Sequence, residues 1–284
     1  MSKILVTGGA GFVGSNLCER LQKLGHEVVS IDNYSTGSIN NQVNGVVYYV
    51  MHTIDIDGLE EHFTPDMIYH LGEYSRVEKS FDDFDKVWDY NVLGTIEVIK
   101  FAKKVGAKLI YAGSSTKFGS DGGANSSPYA FTKSTNTQLV QNFSEWYGLD
   151  YAITYFYNVY GKNEIAEGEY ATLIARFNKM RKEGKSLTVV TPGTQQRNFT
   201  HVDDIVDGLI LVGESGKGDG YGIGSPEAFT VLEVAEMFRS EIEMLPPRKG
   251  NRMSAQVLTE KTRELGWEPK RHLKDYIEEL IRNG

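Results

Sequence analysis

The chain has 284 residues, 40% of them hydrophobic and 24% charged, with a net charge of −8 at pH 7. That length exceeds one small domain and leaves room for a modest second lobe, and the composition excludes disordered and collagen-like chains. The acidic balance argues against a nucleic-acid surface, which needs clustered Lys and Arg for phosphates, and leaves nucleotide-sized ligands open.

From the N-terminus, Lys3-Ile4-Leu5-Val6 predicts a strand and not an export signal, and no apolar run is long enough to span a bilayer. Strands are predicted over 4–7, 27–31, 46–50, 67–70, 108–112 and 151–156, and helices over 15–23, 87–105 and 130–147. This alternation is the pattern of a parallel sheet covered on both faces, so the fold class is doubly wound α/β. After Gly161 the pattern loosens into a helix over 170–183, mixed short strands and a terminal helix ending near Ile281. We therefore expect a dinucleotide-binding domain over 1–160 and a smaller C-terminal α/β substrate-binding lobe over 161–284. The boundary is soft, and some later segments return to the first domain. Cys18 is the single cysteine, which excludes an intrachain disulfide and points to a reducing, cytoplasmic setting.

The first strand runs into Thr7-Gly8-Gly9-Ala10-Gly11-Phe12-Val13-Gly14, a glycine-rich turn opening a helix. Glycines permit a tight turn and close backbone approach, and the helix N-terminus then offers amide donors to a pyrophosphate. Asp32, ending the second strand, supplies a carboxylate for ribose hydroxyls. It would repel the extra phosphate of NADP, so NAD is the expected cofactor. The sheet is thus of the Rossmann type.

Tyr129-Ala130-Phe131-Thr132-Lys133 sets a phenol and an ammonium on one helix face. A free tyrosine titrates near ~10, so a lysine charge beside it would favour the phenolate needed to accept a hydroxyl proton. The pair follows Tyr111-Ala112-Gly113-Ser114-Ser115, where a strand ends at the edge at which open α/β sheets bind ligands. Ser114 would steady the reacting oxygen, completing a set for proton removal coupled to hydride transfer. The six histidines are scattered, and no metal site is expected.

Together these residues resemble the extended short-chain dehydrogenases typified by UDP-glucose 4-epimerase. The likeness also rests on Asp32-Asn33-Tyr34-Ser35-Thr36-Gly37, His70-Leu71-Gly72, Asn91-Val92-Leu93-Gly94-Thr95, Asn158-Val159-Tyr160-Gly161, the run from Arg197 to Asp204, and Leu265-Gly266-Trp267-Glu268-Pro269. The resemblance implies an NAD-dependent nucleotide-sugar epimerase. Tyr129 takes the proton of the sugar C4 hydroxyl, NAD takes the C4 hydride, and a transient 4-keto sugar turns over and is reduced on its other face. It implies Ser114, Tyr129 and Lys133 as catalytic residues. Around the cofactor it implies Gly8, Gly11, Phe12, Val13, Gly14, Asp32, Asn33, Ser35, Thr36, Gly37, Thr53, Leu71, Gly72, Glu73, Asn91 and Phe156, with Tyr129 and Lys133. Ser114, Ser115, Asn158, Arg197 and Arg248 would hold a nucleotide-diphosphate sugar, and a homodimer would form through the helices near 87–105 and 130–147.

Some positions depart from the family pattern. Glu73 and Tyr74 replace small residues, setting a carboxylate near the expected nicotinamide or, by the helical-neighbour rule, against Arg76 or Lys79. His52-Thr53 stands where an acidic residue is usual near the adenine, Tyr155 where an arginine is common, and the loop over 119–128 is short. Ser114 is followed by Ser115-Thr116 instead of the Asp-Glu of 4,6-dehydratases. A 4-dehydrogenase releasing a keto sugar is the alternative chemistry, and a non-catalytic NAD sensor the alternative of a different class.

Overall fold

The computed structural model describes residues 1–115, 123–247 and 257–284. The first six strands are β1 (Lys3–Thr7), β2 (Glu27–Asp32), β3 (Val47–Val50), β4 (Met67–His70), β5 (Lys108–Ser114) and β6 (Tyr151–Phe156). Beyond them lie β7 (Val159–Tyr160), β8 (Leu187–Val190), β9 (Gln196–Asn198), β10 (Thr200–His201), β11 (Gly218–Ile223), β12 (Ala228–Thr230) and β13 (Ile242–Leu245). Seven of them form one sheet in the order β11-β6-β5-β4-β1-β2-β3, every pairing parallel. The strand order reverses between β1 and β4, the point at which such sheets open a crevice outside their carboxyl ends. The sheet is the Rossmann-type doubly wound arrangement expected from the sequence. Central strands read as continuous apolar runs because both faces are covered: in β1 every residue after Lys3 is buried.

The helices are α1 (Phe12–Lys23), α2 (Phe84–Val87), α3 (Gly94–Val105), α4 (Pro128–Tyr147), α5 (Leu173–Lys182), α6 (Val202–Ser215), α7 (Val231–Met237), α8 (Glu260–Glu264) and α9 (Leu273–Arg282). One face of the sheet packs on α3 and α4 through Val98, Ile99, Phe101 and Val140. The other packs on α1 and α6 through Leu17, Leu21, Ile205 and Leu209, with Trp267 closing the edge. A third cluster, including Phe177, Leu187, Val234, Phe238 and Ile277, fills the C-terminal lobe. A cut at residue 160 therefore divides the sequence but not the sheet, since β11 and α6 belong with its first part. Among the described residues no helix is long and apolar enough to cross a membrane.

Several elements differ from the sequence reading. The single helix expected over 87–105 is broken: α2 leads into a π-helical stretch, Trp88–Leu93, before α3. The wider turn carries Asn91 inward, as such stretches do near functional sites. And between the helix expected over 170–183 and the terminal helix, where mixed short strands were expected, α6, α7 and α8 also form; the 14-residue α6 buries Val202, Ile205, Val206, Leu209 and Val212 at helical spacing.

Candidate active site

At the carboxyl ends of β1, β4 and β5 a cavity of about 500 Å³ opens, with the glycine-rich turn as its floor. Gly8 and Gly14 have no room for a side chain. A Cβ on Gly14 would lie 2.1 Å from the Gly8 carbonyl oxygen, and one on Gly8, at φ 74°, would lie 2.8 Å from Gly72 Cα. Among the described residues no side chain caps the start of α1, so its first amides remain for a ligand. Asp32 is buried and knits the site's backbone together, Oδ2 accepting from Ala10 N and Oδ1 from Tyr34 N, both at 2.8 Å.

The wall beyond the floor is a continuous hydrogen-bond chain. Thr7 Oγ1 accepts from Leu71 N (3.1 Å) and Gly72 N (2.9 Å) and donates to His70 Nδ1 (2.7 Å). His70 Nε2 donates to Thr95 Oγ1 (2.9 Å), whose hydroxyl donates to Glu73 Oε1 (3.1 Å). The order of donors fixes the His70 tautomer with its proton on Nε2. Burial depresses this imidazole to about 4, so it is neutral. Tyr111 OH and Asn136 Nδ2 also reach Glu73 Oε1, each at 3.1 Å, while Oε2 accepts from Lys133 Nζ. Glu73 thus pairs with neither Arg76 nor Lys79. Residues 71–77 are not helical, so the i, i+3 rule does not hold at Glu73, and Lys79 turns outward to Glu169. Glu73 and Lys133 each keep about 5% of their side-chain surface exposed. For a pair this enclosed, losing one partner costs about 3–5 kcal/mol.

Ser127 caps α4 through a bond from Ala130 N, Pro128 starts its first turn, and Tyr129 follows at the cavity wall. Burial of the phenol raises its pKa, the hydrogen bond from Ser114 works in the other direction, and Glu73 and Arg76 pull in opposite senses. Lys133, one turn on, is held below the usual lysine range by burial, which Glu73 opposes.

Most of the remaining predicted residues converge on the same cavity: Gly11, Phe12, Val13, Asn33, Ser35, Thr36, Gly37, Thr53, Leu71, Gly72, Phe156 and Asn158 all line it. Thr53 Oγ1 is buried without a hydrogen-bond partner among the described residues and packs against Gly94, where a Cβ would lie 2.2 Å from it. Asn91 lies behind the wall, receiving Tyr74 N (2.7 Å) and donating to Thr132 Oγ1 (3.1 Å). Arg197 sits off the cavity on β9, its Nη1 donating to Gln196 O. Ser115 closes the described part of its loop, and Arg248 lies outside the described residues. Sequence reasoning missed Glu164, Thr172 and the cavity position of Arg76. Arg76 and Glu164 are charged residues in runs with no clear helical or strand period, a weak signal of this role.

The model of the NAD dependent epimerase/dehydratase family matches residues 4–224. The chain belongs to that family. Relatives of this family chain include UDP-glucuronic acid decarboxylase 6 of Arabidopsis thaliana, 32% identical over 96% of this chain and 86% of that protein. Among solved structures, UDP-glucose 4-epimerase of Thermotoga maritima, determined with UDP-glucose, superimposes with a TM-score of 0.92 at 27% identity, covering 99% of this chain and 97% of that one. UDP-glucose 4-epimerase of Thermus thermophilus, in complex with NAD, gives 0.90 at 26% identity and coverage of 99% and 98%. The cofactor of the family is NAD, and the glycine cradle and the uncapped α1 fit it.

Proposed function

We propose that the chain is an NAD-dependent nucleotide-sugar epimerase acting at sugar C4 through a transient 4-keto sugar. The observation that carries this reading is Ser114 hydrogen-bonded to the Tyr129 phenol at the end of β5, beside the glycine cradle. As phenolate, Tyr129 takes the C4 hydroxyl proton and later returns it, while Ser114 holds the oxygen in place. NAD, once bound, supplies reversible oxidation at that carbon. Lys133 and Glu73, paired in the cavity wall, would help to enclose the bound cofactor and substrate. Asn158, Arg197 and Arg248 are our candidates for the diphosphate, where guanidinium groups suit paired phosphate oxygens.

Elimination chemistry is disfavoured because Ser115 and Thr116, next to Ser114, supply no acid and base. A 4-dehydrogenase that releases the keto sugar is the second reading, favoured by Glu73, whose carboxylate stands beside the catalytic lysine. We further propose a cytoplasmic homodimer joined through the face of α2, the π stretch and α4, which exposes Phe84, Trp88, Leu93 and Phe131. The deciding experiment follows a panel of nucleotide sugars by absorbance and NMR. An isomerised sugar without net NADH supports epimerisation, a keto sugar with stoichiometric NADH replaces it by dehydrogenation, and a pentose with carbon dioxide from a uronate replaces it by decarboxylation.

A further inference from the structure

We propose that Glu73 is a positioning residue of the reaction, holding Lys133 charged and turning its one spare N–H toward the cavity. The inference rests on the proposed reaction, in which the ammonium supports an ionised Tyr129 one helical turn away. The contact between the two is direct. Lys133 Nζ meets Glu73 Oε2, donates to Ala112 O at 2.5 Å and lies 4.3 Å from the centre of the Tyr111 ring. An ammonium has three donors. Two are taken inside the protein, so one is left for the cavity that Lys133 lines.

Glu73 is itself held from three elements. Its Oε1 accepts from Thr95 Oγ1 on α3, Tyr111 OH on β5 and Asn136 Nδ2 on α4, each at 3.1 Å. Turning the carboxylate away would strand these donors, so the lysine is aimed by a group fixed on its other side. Among the described residues Glu73 is the one carboxylate within ion-pair distance of Lys133. The other titratable groups around the pair are the neutral His70 from β4, Tyr111 from β5 and Tyr129 from α4, and Arg76 follows on the segment that carries Glu73. The elements α3 and the π stretch bring only the uncharged Thr95 and Asn91 to this wall. Burial draws Lys133 toward its neutral form, which could not support a phenolate, and the Glu73 carboxylate opposes that fall. A buried ion pair adds little stability over apolar side chains of the same volume, so its place in the cavity wall points to the chemistry of the site.

The test reads Lys133 itself, through its side-chain nitrogen resonance in NMR, assigned by its loss in Lys133→Met and titrated without substrate or added NAD. Glu73→Gln is expected to lower the midpoint by about one pH unit or more, and Glu73→Asp, which keeps the charge, to stay nearer the parent. In turnover the ammonium is the active form, so a lower midpoint brings the alkaline fall of kcat to lower pH by the same amount, with KM little changed. Lys133→Arg in the Glu73→Gln background restores the alkaline limb, because a guanidinium stays charged, and misfolding would not produce that reversal. An equal Lys133 midpoint in the parent and in Glu73→Gln, or a kcat that drops uniformly across pH with its limbs unmoved, would overturn the assignment. A chain inert toward every nucleotide sugar would end the epimerase reading instead, and the titration would still decide this one.

Discussion

Tyr129 carries the most specific expectation at the scale of single residues. Tyr129→Phe removes the proton acceptor but leaves the ring and the glycine cradle in place. Turnover should fall by about 10²- to 10⁴-fold while NAD binding, read by titration calorimetry, stays near the parent value. Undiminished turnover would remove the phenol from the mechanism. Glu164 is a second case. Its carboxylate accepts from Gly161 N (2.9 Å) and Thr172 Oγ1 (2.7 Å), and burial without a cation raises it to about 7. A carboxyl raised on folding favours the folded state while protonated, so its contribution is complete below about 4.5 and fades as pH rises through about 7. Glu164→Gln should flatten that part of the pH dependence, measured as urea midpoints between about pH 5 and 8. A parallel curve in the variant would show that another group is responsible.

These two residues also mark how far the sequence reaches. Tyr129, Ser114, Asp32 and the glycines were legible because each stands at a strand end or a helix start, and the order of elements alone brings strand ends together. Glu164 and Arg76 come to the cavity along irregular segments whose path depends on tertiary contacts, such as the bond from Arg76 to Tyr170 O. The partner of Glu73 was misjudged for a related reason. The helical-neighbour rule looks along the chain, and the actual partner is 60 residues away on α4.

Among the elements, α6 shows why periodicity can be overlooked. The residues leading into it, Phe199-Thr200-His201, and its first residue Val202 favour strands, and two of them do form β10 before His201 Nδ1 caps the helix by accepting from Asp203 N. The first turn then carries Asp204, buried, which ties the C-terminal segment down. Asp204 Oδ2 accepts from Lys270 N (3.1 Å) and Arg271 N (3.0 Å), Oδ1 accepts from Arg271 Nη1 (2.6 Å), and its carbonyl accepts from Trp267 Nε1 (2.9 Å). Asp204→Ala strands two amides and a guanidinium, and should cost about 2–3 kcal/mol in urea unfolding with little change in slope. A loss under about 0.5 kcal/mol would place those donors in water in the variant and deny the clamp its role. The π stretch was beyond reach for another reason. One extra residue in a turn leaves the apolar spacing nearly unchanged, so only the inward amide of Asn91 betrays it.

For the molecule as a whole, the exposed face of Phe84 and Trp88, stacked at 6.0 Å, with Phe131 nearby on α4, is the basis for the proposed dimer. Light scattering should give a dimer for the parent and a monomer for Trp88→Glu, and a parent that elutes as a monomer would end the proposal. The sheet itself was the most legible feature, because six strand runs alternating with helical runs leave few right-handed ways to wind. What the alternation does not reveal is that residues beyond 200 supply the last strand, since β11 is separated from β6 by the whole of the intervening lobe.

Cys18 gives the glycine cradle a built-in chemical reporter. The thiol is fully buried on α1 directly beneath the cradle, close enough that a Cβ on Gly9 would lie 2.9 Å from its sulfur, and burial pushes it up to about 12. As the single cysteine of the chain, it can be alkylated only when α1 lifts away from the sheet. The labelling rate therefore counts openings of the cofactor floor, one molecule at a time, and the extent to which NAD slows it measures how firmly the cofactor holds that floor shut.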